Sequence, residues 1–303
     1  MLAVLGPTAS GKSALGLELA ARFGGEILCC DSMQVYRGMD IGTAKATAEE
    51  RRRHAHHLLD LVNPGEPFHA ARWAACARNA IAEVTGRAGL PIIVGGTGLY
   101  FRALTRGLFD APPSDPEIRA RHQAEAAVDG VPALHRRLAL VDPEAAAHIL
   151  PGDLLRVSRA LEIHEQTGQT ITERRRHGPI PPPLAVYTVV LDPPLPRLRA
   201  RVDERVGAMM TAGFLDEVRA LRGAGFGQAR ALQAIGYRQL GDHLDGRSSL
   251  ADAVADIGRA TIAYARRQRT WFRKEAAALR LPDDPAPGDL AARVSDWLSA
   301  RAG

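Results

Sequence analysis

A glycine-rich segment near the beginning of the chain contains the residues whose types and spacing point most clearly to chemistry: Gly6-Pro7-Thr8-Ala9-Ser10-Gly11-Lys12-Ser13. Its GxxxxGK[ST] spacing is typical of a loop whose backbone N–H groups surround phosphate oxygens. The positive end of a following helix and the Lys12 ammonium add to the attraction for an anion. Ser13 is expected to bind a magnesium ion that the phosphates carry. The segment is therefore predicted to bind phosphate groups.

A second candidate is Asp31, which follows the apolar run 26–30 and begins the polar segment 31–40. A carboxylate beside a phosphate site can act as a general base on an incoming nucleophile. The alternative is that Asp31 is a turn or capping residue. Enzymes that use ATP on such a loop usually place an acid at the end of another strand. The apolar run 92–94 instead continues into Gly95-Gly96-Thr97-Gly98-Leu99-Tyr100, which contains no acid.

The segments around these residues alternate between strand and helix patterns. Strands are predicted at 26–30, 91–94 and 185–191, and helices at 12–23 and 69–85. Such alternation predicts an α/β fold, a P-loop NTPase-like parallel sheet with helices on both faces. Ligands of these sheets bind at the carboxyl ends of the strands, so the glycine-rich loop and Asp31 are expected to lie close together.

Two proline-rich breaks, at 111–116 and 178–183, bracket a region with helical patterns only. Helices are predicted there at 117–127, 143–148 and 153–167. We interpret residues 115–180 as an all-helical insertion domain on two stiff hinges. Residues 1–114 and 181–303 would then form the catalytic core.

Composition limits the possible functions. The chain has 303 residues, and Lys and Arg exceed Asp and Glu by 39 to 34, so the net charge of +5 is compatible with an anionic partner. The three cysteines form no CxxC pair, which makes disulfides and zinc improbable and favours a reducing compartment. We found neither a leader nor an apolar run of membrane-spanning length. These features predict a cytoplasmic protein that does not bind a membrane.

Four segments together resemble the tRNA dimethylallyltransferase family, also called tRNA isopentenyltransferase: GPTASGKS at 6–13, DSMQVYRGMDIGTAK at 31–45, GGTGLY at 95–100 and ARRQRTWFR at 265–273. The resemblance extends from near the first residue to about Lys274. It implies a magnesium-dependent transfer of a dimethylallyl group from dimethylallyl diphosphate to N6 of an adenosine. That adenosine is tRNA position 37, next to the anticodon on its 3′ side, and no ATP is consumed.

The resemblance also implies roles for particular residues. Asp31 is expected to take the proton from N6. The residues of the loop 6–13, among them Thr8, are expected to hold the diphosphate together with Arg205, which lies outside the loop. From the sequence alone, Arg205 could equally be a solvated helix residue. The partners implied are dimethylallyl diphosphate and the tRNA anticodon stem-loop, with the protein acting as a monomer.

Contacts to tRNA are implied at five places along the chain. An adenine inside a stacked loop must be flipped out to reach a buried carboxylate, and the helical insertion would help to hold the RNA. One departure concerns Leu154-Leu155-Arg156, where the family usually has Pro-Gln-Arg. The implied contact residues are Asp31, Ser32, Met33, Gln34, Thr97, Arg119, Leu155, Arg156, Val157, Ser158, Arg159, Gln233, Ala234, Ile235, Gly236, Tyr237 and Arg238.

Several alternatives remain open at this stage. The run 266–274 mixes cations with aromatic residues, as an RNA-facing surface would, but a solvated basic face with Trp271 packed inward fits almost as well. A small-molecule kinase using ATP on the same loop is a second possible function, although the missing strand-end acid disfavours it. A non-catalytic RNA-binding protein is a third.

Overall fold

The chain divides into two compact units. The computed structural model describes residues 1–109, 111–177, 183–282 and 287–300. One unit comprises Met1–Thr105 with Pro183–Gly303, and the other comprises Arg106–Pro182. The sequence analysis placed these boundaries at 114/115 and 180/181. The predicted hinge at 178–183 lies, apart from Pro183, outside the described residues.

The first unit contains a parallel sheet. Six strands are ordered β3-β2-β4-β1-β5-β6, and every neighbouring pair is parallel. Because neighbouring strands are parallel, each connection must return from one end of the sheet to the other before the next strand begins. The strands are β1 Leu2–Leu5, β2 Gly25–Cys30, β3 His56–His57, β4 Leu90–Gly95, β5 Tyr187–Leu191 and β6 Leu279–Leu281.

Helices make up most of the remaining described structure. They are α1 Lys12–Phe23, α2 Ala48–Arg53, α3 Ala70–Gly86, α4 Gly98–Arg106, α5 Pro116–Asp129, α6 Val131–Val141, α7 Pro143–His148, α8 Leu154–Thr167, α9 Ile171–Arg176, α10 Leu195–Thr211, α11 Phe214–Leu221, α12 Tyr237–Leu244, α13 Leu250–Phe272 and α14 Pro287–Ser299. A π-helical turn spans Arg222–Phe226 and a 3₁₀ turn spans Arg230–Gln233. No described helix combines the length and apolarity needed to cross a membrane.

Both faces of the sheet are covered. Successive side chains of a strand point to opposite faces, and Val4 packs in one apolar cluster with Leu19 of α1. Its neighbour Leu5 is equally buried, so the opposite face is covered as well. There Trp73 of α3 is fully buried and its indole N–H donates a hydrogen bond of 3.1 Å to the carbonyl of Cys29. The predicted parallel sheet with helices on both faces is confirmed.

All secondary-structure elements in the described residues of the second unit, 106–109 and 111–177, are helices. Its core is a separate apolar cluster built from α6, α7, α8 and α9, in which Leu134, Leu138 and Val157 are fully buried. Asp142 caps α7 by accepting the N–H of Ala145, and its carboxylate also accepts the N–H and hydroxyl of Thr172 in α9. This unit therefore has its own core and its own polar ties.

Candidate active site

The glycine-rich loop connects β1 to α1, as its spacing predicts. Gly11 is the N-cap of α1 and adopts φ 91°, a left-handed conformation that favours glycine. The Lys12 ammonium folds back and donates a hydrogen bond of 3.1 Å to the carbonyl of Pro7. The first N–H groups of a helix have no acceptor inside it. The loop therefore presents backbone donors at the N-terminus of α1, beside a lysine.

A cavity of about 710 Å³ opens beside this loop, and all of its lining residues belong to the first unit. One wall is the face of α10 that carries Val202, Arg205, Val206 and Met209, and another is the face of α13 that carries Ile257, Thr261, Tyr264 and Gln268. Both sets follow the three-to-four-residue spacing of one helix face. The cavity combines an apolar wall with polar groups from the loop end, as a site for an amphiphilic small molecule requires.

Two cations in the cavity lack an acidic partner among the residues that the structure describes. Lys12 and Arg205 both line it, and neither forms a salt bridge with a described residue. Burial and the neighbouring Arg205 guanidinium lower the pKa of Lys12 from 10.5 to about 8, against the opposing effect of Asp31. Burial also lowers the pKa of Arg205, and the charge of Arg201 adds to that effect. Two partly desolvated cations that repel one another would be stabilised by a bound anion.

Asp31 is both a turn residue and a free acceptor. Its Oδ1 accepts the N–H of Met33 at 2.8 Å and that of Gln34 at 3.4 Å, as in an Asx turn. Its Oδ2 accepts no hydrogen bond from any described residue, and Asp31 lines the cavity that holds Lys12. The two sequence-based interpretations of Asp31 are thus compatible, because one oxygen fixes the turn and the other remains available.

Residues near Asp31 fix the end of β2 against the start of α4. Thr97 Oγ1 accepts the N–H of Ser32 at 3.0 Å, and the Thr97 N–H donates to the carbonyl of Cys30 at 3.2 Å. Tyr264 of α13 lines the cavity near Thr97, and burial raises the pKa of Tyr264 to about 12, so its hydroxyl stays protonated. The sequence analysis missed Tyr264, although its spacing from Gln268 on one helix face was a usable signal.

The residues of the run 266–274 that face the interior make contacts that stabilise the fold. Gln268 is buried and accepts the N–H of Thr8 at 2.8 Å, while its Nε2 donates to the carbonyl of Gly96 at 2.9 Å. Trp271 lies under the Arg102 guanidinium, 4.3 Å from the ring centre. A Cβ on Gly98 would come within 2.1 Å of the indole nitrogen of Trp271. Trp271 is therefore packed inward, as the alternative interpretation had it.

The structure brings most of the first unit's predicted tRNA contacts to the cavity. Ser32, Met33 and Gln34 line it, and so do Gln233, Ala234, Ile235 and Tyr237. Tyr237 is 1% exposed, so only its cavity-facing edge could reach a ligand. Arg238 is exposed and lies 3.7 Å from the carboxylate of Asp242.

The predicted contacts of the second unit divide into exposed and internal residues. Leu155 and Arg156 are exposed, whereas Val157 and Ser158 are buried. Arg119 and Arg159 both pair with Glu162, whose carboxylate is fully buried, at 3.3 Å and 2.8 Å. Although burial opposes it, the hydrogen bond from Arg159 helps to hold the pKa of Glu162 below its usual value. Both arginines therefore also stabilise the unit itself.

An acid does follow one strand beside β1, which the sequence analysis missed. Asp192 comes directly after β5, the neighbour of β1. Its carboxylate pairs with Arg269 and lies 3.9 Å from the Nε of Arg273. Asp192 is absent from the described lining of the cavity. Arg269 and Arg273 compensate the charge of Asp192 outside the cavity. Asp192 is therefore not placed as the metal-holding acid of an ATP-using enzyme would be.

These features define an α/β protein in which a glycine-rich loop, two cations and a carboxylate with one available oxygen share a cavity. A family model described as "IPP transferase" matches residues 34–275. The chain belongs to this family, and the resemblance drawn from its four sequence segments is confirmed.

Named relatives cover nearly the whole chain. A tRNA dimethylallyltransferase of Anaeromyxobacter dehalogenans (strain 2CP-C) is 50% identical over 97% of this chain and 98% of its own length. One of Sorangium cellulosum is 47% identical over 92% of this chain and 89% of its own length. The crystal structure of the full-length tRNA isopentenylpyrophosphate transferase of Bacillus halodurans matches with TM-score 0.70 at 38% identity, covering 99% of this chain and 95% of that one. A eukaryotic dimethylallyltransferase captured acting on tRNA matches with TM-score 0.81 at 27% identity, covering 99% of this chain and 80% of that one.

Proposed function

We propose that this protein is a tRNA dimethylallyltransferase. It transfers the dimethylallyl group of dimethylallyl diphosphate to N6 of the adenosine on the 3′ side of the anticodon, tRNA position 37. One observation carries the proposal: Lys12 and Arg205, which have no acidic partner among the described residues, share a cavity with the free oxygen of Asp31. The names of the relatives support the same activity.

The proposed reaction breaks one bond and forms another. The allylic carbon–oxygen bond of the donor breaks, and its electron pair leaves with the diphosphate. A bond forms between that carbon and N6, and the N6 proton passes to Oδ2 of Asp31. Lys12, Arg205 and the N–H groups at the start of α1 stabilise the negative charge that develops on the leaving group. The apolar faces of α10 and α13 would hold the dimethylallyl chain.

The residues present fit a magnesium ion that arrives with the donor. Mg²⁺ usually takes one or two protein oxygens and fills its other positions with phosphate oxygens and water. Ser13 lines the cavity and its hydroxyl makes no hydrogen bond with a described residue. We propose that Ser13 holds the ion. Such an ion would neutralise charge on the departing diphosphate.

The adenine would enter beside Asp31. Its exocyclic amine is a poor nucleophile because its lone pair is delocalised, so a carboxylate that accepts one N–H improves the attack. Flipping the base costs a few kcal/mol. We propose that Ser32, Met33, Gln34 and the segment 233–237, which line the same cavity, recover that free energy by contacting the base.

The test is to incubate the protein with dimethylallyl diphosphate, magnesium and an unmodified tRNA that has adenosine at position 37, and then to analyse the nucleosides by mass spectrometry. We expect N6-(dimethylallyl)adenosine from this tRNA and none from a matched tRNA with guanosine at that position. Absence of prenyl transfer to the first tRNA would contradict the proposal. A parallel assay of ATP turnover with nucleoside acceptors tests the kinase alternative.

A further inference from the structure

Glu217 of α11 receives four hydrogen bonds from two separate segments. Its Oε2 accepts the backbone N–H groups of Asp40 at 2.9 Å and Ile41 at 2.7 Å. Its Oε1 accepts the N–H of Gly42 at 3.2 Å and the hydroxyl of Tyr237 at 2.6 Å. Three successive backbone N–H groups around one carboxylate form a small anion-binding concavity that is filled from within the chain.

Both segments held by Glu217 reach the cavity. The loop 40–42 runs into residues 42–47, which line it. The side chain of Gln34, in the segment that begins at Asp31, donates to the carbonyls of Thr43 at 3.0 Å and Ala44 at 3.2 Å. The second segment, 233–237, lines the cavity through Tyr237 and its neighbours. Glu217 therefore connects the segment 233–237 with the loop 40–42, which continues into the residues that Gln34 holds.

Packing around Phe214 reinforces this connection. A Cβ on Gly42 would lie 2.1 Å from the Phe214 ring, and a Cβ on Gly236 would lie 2.6 Å from it. Phe214 and Tyr237 also meet edge to face, with ring centres 5.0 Å apart. Glycine at both positions lets the backbones of the loop 40–42 and of the segment 233–237 approach the start of α11, where Glu217 can reach them. No described contact of Glu217 involves the glycine-rich loop.

We propose that Glu217 is a positioning residue for the acceptor side of the reaction. It holds the loop 40–42 and the Tyr237 hydroxyl in one arrangement, so that the cavity fits the adenosine before tRNA binds. The inference rests on the proposed function, because it assigns the two segments to the acceptor. It separates Glu217 from Lys12 and Arg205, whose role is to bind diphosphate.

The test compares Glu217→Gln with Asp216→Asn, which removes an exposed charge from the neighbouring residue of the same helix. In Glu217→Gln, an amide N–H group would face backbone N–H groups. We expect faster amide hydrogen exchange at residues 40–42 and a KM for tRNA raised about 10- to 100-fold, with the affinity for inorganic diphosphate unchanged. Asp216→Asn is expected to behave as the wild type in all three measurements.

Two results would overturn the inference. One is unchanged exchange at 40–42 together with an unchanged KM for tRNA. The other is an equal loss of diphosphate affinity, which would indicate general damage to the fold. If Glu217→Gln does not fold, Tyr237→Phe decides, with an expected rise in KM for tRNA of about 3- to 10-fold; no rise would refute the inference. If the wild type transfers no prenyl group, the proposed function fails, while the exchange measurement still tests the contacts of Glu217.

Discussion

The backbone N–H of Thr8 donates a hydrogen bond of 2.8 Å to the side chain of Gln268, which lies 260 residues further along the chain. The same side chain donates to the carbonyl of Gly96. One amide thus fixes the glycine-rich loop of β1 to the end of β4. This N–H of the loop is already used within the protein, so the proposed diphosphate would be held by the other donors of the loop and by the two cations.

We expect Gln268→Leu to destabilise the protein. Both backbone partners would lose their hydrogen bond in a buried place, and the free energy of unfolding is expected to fall by about 1–3 kcal/mol. Diphosphate affinity should fall as well, because the loop is less well fixed. Urea unfolding and calorimetric titration with inorganic diphosphate check both effects. Arg266→Leu on the exposed side of α13 is the control, and an equal effect of both variants would argue against this role.

Diphosphate binding is expected to weaken with rising pH because of Lys12. In the free protein burial lowers the pKa of Lys12 to about 8, so the ammonium is lost above that pH. Only the charged form attracts the anion, and affinity should fall by up to about tenfold per pH unit above it. Lys12→Arg stays charged throughout, and the diphosphate itself titrates identically in both titrations. The same pH dependence in both proteins would contradict the assignment.

Two glycines offer opposite expectations for one chemical change. A Cβ on Gly95 would lie 2.0 Å from the carbonyl oxygen of Cys30, so Gly95→Ala must push β4 from β2 and is expected to cost about 1–3 kcal/mol. Gly207 lies within α10, and a Cβ there meets nothing within 4 Å. Gly207→Ala is expected to stabilise the helix by about 0.5–1 kcal/mol. Urea unfolding measures the stability of both variants. If both are destabilised by a similar amount, the packing argument is wrong.

The features that the sequence predicted depend on local spacing. The glycine-rich loop, the alternation of strands and helices and the place of Asp31 at the end of β2 could all be inferred from short segments. Gln268 and Glu217 could not, because the backbone N–H groups that their side chains accept lie 260 and 175 to 177 residues away. Their side chains give no local sign of those partners.

The second unit shows the same limit. Arg119 and Arg159 were predicted from the family resemblance as RNA contacts. Arg159 and Glu162 are three residues apart in one helix, but the pairing of Arg119 with Glu162, 43 residues away, and the burial of Glu162 could not be seen from the sequence. Asp192 directly follows the predicted strand 185–191 and could have been noticed from the sequence. Its pairing with Arg269 could not, because that contact requires β5 and α13 to come together. A motif therefore indicates which residue types are available, and the fold determines which of them remain unpaired.

The central claim is that Asp31 acts on the acceptor while Lys12 and Arg205 hold the diphosphate. Asp31→Asn tests it most directly, since asparagine keeps an oxygen for the Met33 and Gln34 N–H groups but is a far weaker base. The measurement is the single-turnover rate of prenyl transfer to tRNA, with diphosphate affinity determined on the same variant. The account predicts a rate lower by about 10²- to 10⁴-fold with unchanged affinity. An unchanged rate, or an equal loss of rate and affinity, would contradict it.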